Sequence, residues 1–205
     1  MSPRLAVALA LLLAVAPPKP RAWNFGAAPL GATPPGFTAE VGRWEVVADG
    51  MARVLAQLAT NPDKTFNVAL SDEIREDIDI SVRLKAVAGE FDQGGGLVWR
   101  ARDKDNYYVA RYNPLEDNFR VYKVEGGKRT QFQSADIPRA GSWHTLRVRM
   151  IGDRITCDLD GKRYLETEDH TFPDAGKVGL WTKSDARTYF FDLKDVEPVP
   201  GQDQR

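Results

Sequence analysis

From Ile78 to Ala86 the chain alternates: Ile78, Ile80, Val82, Leu84 and Ala86 are apolar, while Asp79, Ser81, Arg83 and Lys85 are polar. Successive side chains of an extended strand point to opposite faces, so this run predicts a strand with one face in a core and one in water. The same period returns where Leu146, Val148 and Met150 alternate with Thr145, Arg147 and Arg149, and again at Ile155, Cys157 and Leu159. Between these segments the runs LVWRA, YYVARYN and FRVYKV are rich in β-branched and aromatic residues. They are broken by Asp-Lys-Asp-Asn, Asn-Pro-Leu-Glu-Asp-Asn and Glu-Gly-Gly-Lys, all turn formers. Asp160-Gly161 supplies the positive φ values of a tight hairpin, and KVGLWTK and TYFFDLKDV add two more strands. Many short strands with no long helix and no internal repeat predict an all-β chain folded as a two-sheet antiparallel β-sandwich of the jelly-roll kind. Ile80, Val82, Leu84, Leu146, Val148, Ile155, Cys157, Leu159 and Leu180 are its expected core.

Near the N-terminus the pattern is less clear. Met51, Val54, Leu55 and Leu58 fit helical spacing, yet Gly50 and Asn61-Pro62 leave room for little more than two turns, which favours a strand. Residues 23–42, rich in Gly, Pro and Ala, predict an irregular lead-in to a domain over 43–198, with 199–205 a polar tail. Arg4 precedes an unbroken apolar run from Leu5 to Ala16, which reads residues 1–22 as a signal peptide and the protein as secreted or periplasmic. That run is shorter than the ~20 residues a bilayer span needs, so no membrane span is expected once the leader is removed. The 28 basic and 29 acidic side chains nearly cancel, and removing the leader takes only basic ones, so nucleic acid is not an expected partner. Cys157 is the sole cysteine, which excludes an intramolecular disulfide, and its place in an alternating run makes it a buried hydrophobe.

The stretch GSWHTLRVRMIGDRITCDLDGKRYLETEDHTFPDAGKVGLWTKSDARTYFFDLKDVEP resembles the C-terminal half of laminin-G-like and concanavalin-A-like jelly rolls. GGGLVWRARDKDNYYVARYNP is similar to the matching segment of the bacterial 3-keto-disaccharide hydrolase domain family, often called family-16 glycoside-hydrolase-like. Together the likeness covers about residues 43–197 and rests on Gly141, Trp143, Gly152, Asp160, Gly161, Gly176, Gly179 and Leu180, which are mostly turn formers and core residues. The resemblance implies an exported domain whose partner is carbohydrate, an oligo- or polysaccharide. Binding is the expected function, with glycoside hydrolysis of the 3-keto-disaccharide type as the alternative. It also implies a structural calcium held by a last-strand carboxylate, a position that Asp192 matches.

Three constellations could carry chemistry. Glycoside hydrolysis uses two carboxyl groups about 5 to 9 Å apart, and Asp77 with Asp79, or Asp158 with Asp160, share a strand face. The sequence EDIDIS lacks the second Glu of family-16 glucanases, so no catalytic residue is assigned and these acids read as turn and strand-start residues. His144 and His170 match no metal or nucleophile motif, and His144 reads as a surface residue. The third is a binding face. If Leu97, Trp99, Tyr108, Ala110, Tyr112, Phe119 and Val121 point inward, then Arg100, Arg102, Tyr107, Arg111, Asn113, Arg120 and Tyr122 share the other face. Arg100, Arg111, Asn113, Arg120 and Tyr122 are accordingly the expected ligand-binding residues, on a solvent-facing, concave sheet. Aromatic rings stack on sugars, and guanidinium and amide groups donate paired hydrogen bonds to their oxygens. Three guanidinium groups so close repel, which requires either an acidic sugar or a local ion pair with Asp103, Glu116 or Asp117.

Overall fold

A computed structural model describes residues 21–138 and 142–196. The chain begins with β1 (Ala22–Trp23), a 3-10 turn (Phe25–Ala27), β2 (Phe37–Val41), β3 (Trp44–Asp49) and β4 (Ala52–Gln57). Next come β5 (Phe66–Arg75), β6 (Ile78–Ala88), β7 (Gly95–Asp103), β8 (Asn106–Asn113), β9 (Asn118–Glu125) and β10 (Lys128–Asp136). Then follow β11 (His144–Ile151), β12 (Arg154–Leu159), β13 (Lys162–Glu168), β14 (Gly176–Lys183) and β15 (Arg187–Asp195). All pairings are antiparallel and build two sheets. One runs β13-β12-β11-β6-β15-β4-β3, with β1 added to β15, and the other runs β10-β9-β8-β7-β14-β5-β2. Among the described residues no helix is long and apolar enough to cross a membrane.

Register explains why the alternating runs bury as they do. Val82, Leu146 and Leu159 lie opposite one another across β6, β11 and β12, as do Ile80, Val148 and Cys157. Each row therefore presents three apolar side chains to the facing sheet. The expected core residues Ile80, Val82, Leu84, Leu146, Val148, Ile155, Cys157, Leu159 and Leu180 are all buried. Burial pushes the Cys157 thiol well above its ordinary range, as its role as a core hydrophobe requires. From the other sheet Leu97, Trp99, Tyr108, Ala110, Tyr112, Phe119 and Val121 enter the same core, on the face the alternation assigned them.

Two expected boundaries fall on paired residues. The expected lead-in is not irregular throughout: β2 pairs with β5 from Phe37 opposite Ser71 to Val41 opposite Val68 and closes one edge of the seven-stranded sheet. Its side chains are half-buried or exposed, so pairing with a neighbour makes this strand, and its own pattern gives no sign. The expected end of the leader also falls inside the fold. Ala22 pairs with Lys194, the Arg21 amide donates to Asp195 at 2.8 Å, and the Arg21 guanidinium ion-pairs with Glu73. Residues 1–20 of the expected signal peptide and the polar tail 199–205 lie outside the described residues. The ambiguous segment after Gly50 is the strand β4, whose Val54, Leu55, Ala56 and Gln57 are buried.

Candidate functional site on the concave face of the seven-stranded sheet

The outer face of this sheet curls inward. β9 and β5 stand four strands apart in the order, about 19 Å at the ~4.8 Å strand spacing. Yet the Arg129 guanidinium carbon lies 4.4 Å from the Tyr122 ring centre on β9 and 5.4 Å from that of Phe66 on β5. Side chains from distant strands converge only on a concave surface. The floor is apolar: Val68, Leu70, Val98, Tyr107, Val109, Val124 and Trp181 are buried in a second cluster, separate from the core between the sheets. The Trp181 indole donates to the Tyr107 hydroxyl at 3.1 Å. The phenol is pushed well above its ordinary range by burial.

Across this floor the register puts Arg120, Arg111, Gly96 and Trp181 in one row. Arg111 is 1% exposed and sits between two carboxylates. Its Nη1 reaches Asp92 at 3.3 Å and its Nη2 reaches Glu116 at 2.8 Å, with longer contacts to Asn118 and the Tyr122 hydroxyl. Both carboxylates come from loops shaped by their own sequence. In Asn-Pro-Leu-Glu-Asp-Asn, Asn113 Oδ1 accepts the amides of Leu115 and Glu116, and Asp117 takes φ +50°, a short Asx-led turn. Asn118 Nδ2 then donates to both the backbone and the carboxylate of Glu116, holding it over Arg111. The loop before β7 is pinned from outside, because Asp185 accepts the amides of Glu90, Phe91 and Asp92. That places Asp92 where Asn113 Nδ2 (2.9 Å) and Lys183 Nζ (3.0 Å) also donate to it. The same loop leaves Phe91 66% exposed, and Leu115 is exposed on the neighbouring loop at the same end of the sheet, where Gly95 pairs with Tyr112.

The two carboxylates differ in acidity. Burial raises Asp92 above the ordinary carboxylate range, against the pull of Arg111 and Lys183. Glu116 is half-exposed, and although its partial burial works the other way, Asn118, Arg111 and Arg120 hold it down at about 2. Arg120 completes the network, donating to Glu116 at 3.0 Å and to the Ser134 hydroxyl at 3.1 Å.

The expected site residues thus meet, with corrections. Arg111, Asn113, Arg120 and Tyr122 share the face, but Arg111, Asn113 and Tyr122 are buried in it, and only Arg120 keeps substantial exposure. Loops and neighbouring side chains fold over them, which strand alternation cannot register. Arg100 leaves the face altogether. A bulge between Trp99 and Asp103 gives it φ +46°. Its guanidinium donates to the carbonyls of Glu76, Phe172 and Gly152 at 2.8 to 3.0 Å, stitching three segments together. Gly176 permits that bulge, since an added Cβ would lie 2.4 Å from the Arg100 carbonyl carbon. Arg102 leaves it for an exposed pair with Asp174. Of the compensating acids considered, Glu116 pairs with the arginines, while Asp103 caps the turn at Asp105 and Asn106. Alternation along GLWTK could have added Trp181 and Lys183 to the face. Asp92, in a Gly-rich loop, gave no such signal.

The other candidates are structural. Asp79 forms a two-pronged pair with Arg147 at 2.7 Å, Asp158 pairs with Arg163 at 3.0 Å, and Asp77 accepts the Gly152 amide. His144 is buried rather than on the surface, its ring 4.6 Å from that of Tyr112 and its Nδ1 2.7 Å from Asp160. Asp192 sits at a bulge in β15 with φ +52°, and its carboxylate accepts from Lys194 Nζ at 2.7 Å. Among the described residues no three His, Cys, Asp or Glu side chains gather as a metal site. A calcium ion held by Asp192 and backbone carbonyls would compete with Lys194 for the carboxylate.

No protein-family model matches the chain, and no curated protein matches it. Solved structures do. The carbohydrate-binding module CBM66 from Bacillus subtilis superposes with TM-score 0.68 at 22% identity, covering 78% of this chain and 96% of the module. The Bacillus licheniformis β-glucanase gives 0.57 at 12%, covering 89% and 100%. A Bacillus subtilis protein of unknown function with a galectin-like fold gives 0.59 at 14%, covering 77% and 87%. At these identities the likeness is one of fold, and the fold is the two-sheet antiparallel jelly-roll sandwich.

Proposed function

We propose that the concave face of the seven-stranded sheet binds carbohydrate in an exported protein, a reading that the resemblance and the glycan-associated fold neighbours support. The observation that carries it is the combination of a fixed polar network with exposed apolar side chains, Phe91 and Leu115, on the two loops that build it. Arg111 cannot move, because Asp92 and Glu116 hold both its ends, so the groups beside it are fixed in advance of a ligand. Arg120, Glu116 and the exposed ring of Phe91 then offer a sugar both hydrogen-bond partners and a stacking surface. A glycan array followed by titration calorimetry tests this. Phe91→Ala and Arg120→Ala, both at accessible positions, should each weaken a bound glycan about tenfold or more with the fold intact. Binding unchanged in both variants would remove the site from this face.

One observation favours the second reading, a hydrolase of the 3-keto-disaccharide type. Across one guanidinium Asp92 is the weakened acid and Glu116 the strengthened one, and carboxyl pairs with separated acidities are how glycosidases divide acid and base roles. In that case Asp92→Asn should abolish cleavage of 3-keto-disaccharides while leaving their binding. A purified protein that binds and never cleaves would settle against hydrolysis.

A further inference from the structure

Among the described residues four cations and three carboxylates meet in this concavity, and they do not pair evenly. Lys183 has Asp92 and Asp63, Arg111 has Asp92 and Glu116, and Arg120 has Glu116. Arg129, from the edge strand β10, has no carboxylate within 4.0 Å among the described residues. It instead lies over three rings, 4.4 Å from Tyr122, 5.4 Å from Phe66 and 5.9 Å from Trp181. Its Nη1 is buried and makes no hydrogen bond within the protein, and neither does the neighbouring Arg111 Nε. Burial and the nearby Arg111 charge both disfavour its ionised form.

Stacking on rings stabilises a guanidinium by its face and leaves its edge, where all five N–H donors lie, unanswered. A buried donor without a partner costs about 1 to 3 kcal/mol, so such groups in native folds call for an explanation. We infer that Arg129 is the anchor for a carboxylate of the ligand, so that the carbohydrate bound on this face is an acidic one, an oligosaccharide containing uronic acid. This rests on the carbohydrate reading above and narrows it. A planar carboxylate matches the fork of a guanidinium with two parallel hydrogen bonds, whereas a neutral sugar hydroxyl offers no charge. The carboxylate would supply the counter-charge that the described residues of the concavity lack, beside a guanidinium kept close to the Tyr122 and Trp181 rings.

The test compares trisaccharides built on glucuronate, galacturonate or mannuronate with their carboxyl-reduced, neutral counterparts, by titration calorimetry at pH 7 on the folded chain. At least one uronate should bind ten-fold or more tighter than its neutral counterpart, and added salt should weaken the uronate alone. Arg129→Gln should erase that difference, bringing the uronate to the affinity of its neutral counterpart, and Arg129→Lys, which keeps charge without the fork, should retain part of it. Equal affinity for both members of every pair, or a preference that survives Arg129→Gln, overturns the inference and leaves carbohydrate binding standing. Binding confined to neutral glycans does the same. A protein that binds no glycan in either form removes the carbohydrate reading and this inference together.

Discussion

The two sheets carry similar chemistry on their outer faces and use it differently. On the eight-stranded sheet, Arg147 with Asp79, Arg163 with Asp158 and Lys85 with Asp49 are all partly exposed, from 13% at Asp158 to 50% at Arg163. On the seven-stranded sheet, Arg111 and Asp92 are each 1% exposed, and their partners come from loops as well as strands. The first set is a solvated surface where Arg stems cover apolar area and the aromatic rings of Trp143, Tyr189 and Phe191 take the charges of Arg83 and Lys85. The second is a desolvated network built by curvature. The same residue types thus belong to a surface or to a site according to what folds over them.

Removing one partner should separate the faces most sharply. Asp92→Ala leaves Arg111 and Lys183 without their buried carboxylate and should cost about 3 to 5 kcal/mol by denaturant unfolding. A cost near that of a surface pair would show that the concavity is wetter than its burial indicates. Trp181→Ala empties the floor of the concavity and should cost a similar ~3 to 5 kcal/mol. By contrast Arg147→Ala, on the solvated face, should change stability by less than about 1 kcal/mol, and a larger loss would mean that this face too is covered.

The smallest effect is in the pH dependence. Glu116 is held at about 2 in the fold against 4.5 in the unfolded chain, so the unfolded chain takes up the proton first. Its contribution is therefore full above about pH 4.5 and lost as pH falls toward 2. Glu116→Gln should flatten that acid arm in unfolding titrations at pH 7, 4 and 2.5, and an unchanged slope would detach Glu116 from the network. Asp92, raised in the fold, acts in the opposite sense, gaining as pH falls.

Much of the fold was legible because a period of two is a local property. Ile80, Val82 and Leu84 announce their face without knowledge of any partner, and the turns at Asp160-Gly161 and Gly126-Gly127 declare themselves by the positive φ they adopt. β2 was not legible, since FTAEV becomes a strand only by pairing with β5. Of the site, alternation placed Arg111, Asn113, Arg120 and Tyr122 together, and could do so because β8 and β9 are adjacent and regular from Tyr107 to Asn113. Arg100 was misplaced by a bulge that a single left-handed residue creates and that Gly176, some seventy positions away, allows.

The sequence by itself determined the strand faces, the core between the sheets and the residues that could meet on one side of β8 and β9, because these follow from alternation and turn chemistry within a few residues. Only the tertiary structure decided that the shared face is buried, that Asp92 and Lys183 belong to it, and that among the described residues Arg129 is its one cation without a carboxylate. Charge balance and burial depend on which side chains converge across a curved sheet, and that convergence joins residues as far apart as Phe66, Arg129 and Trp181.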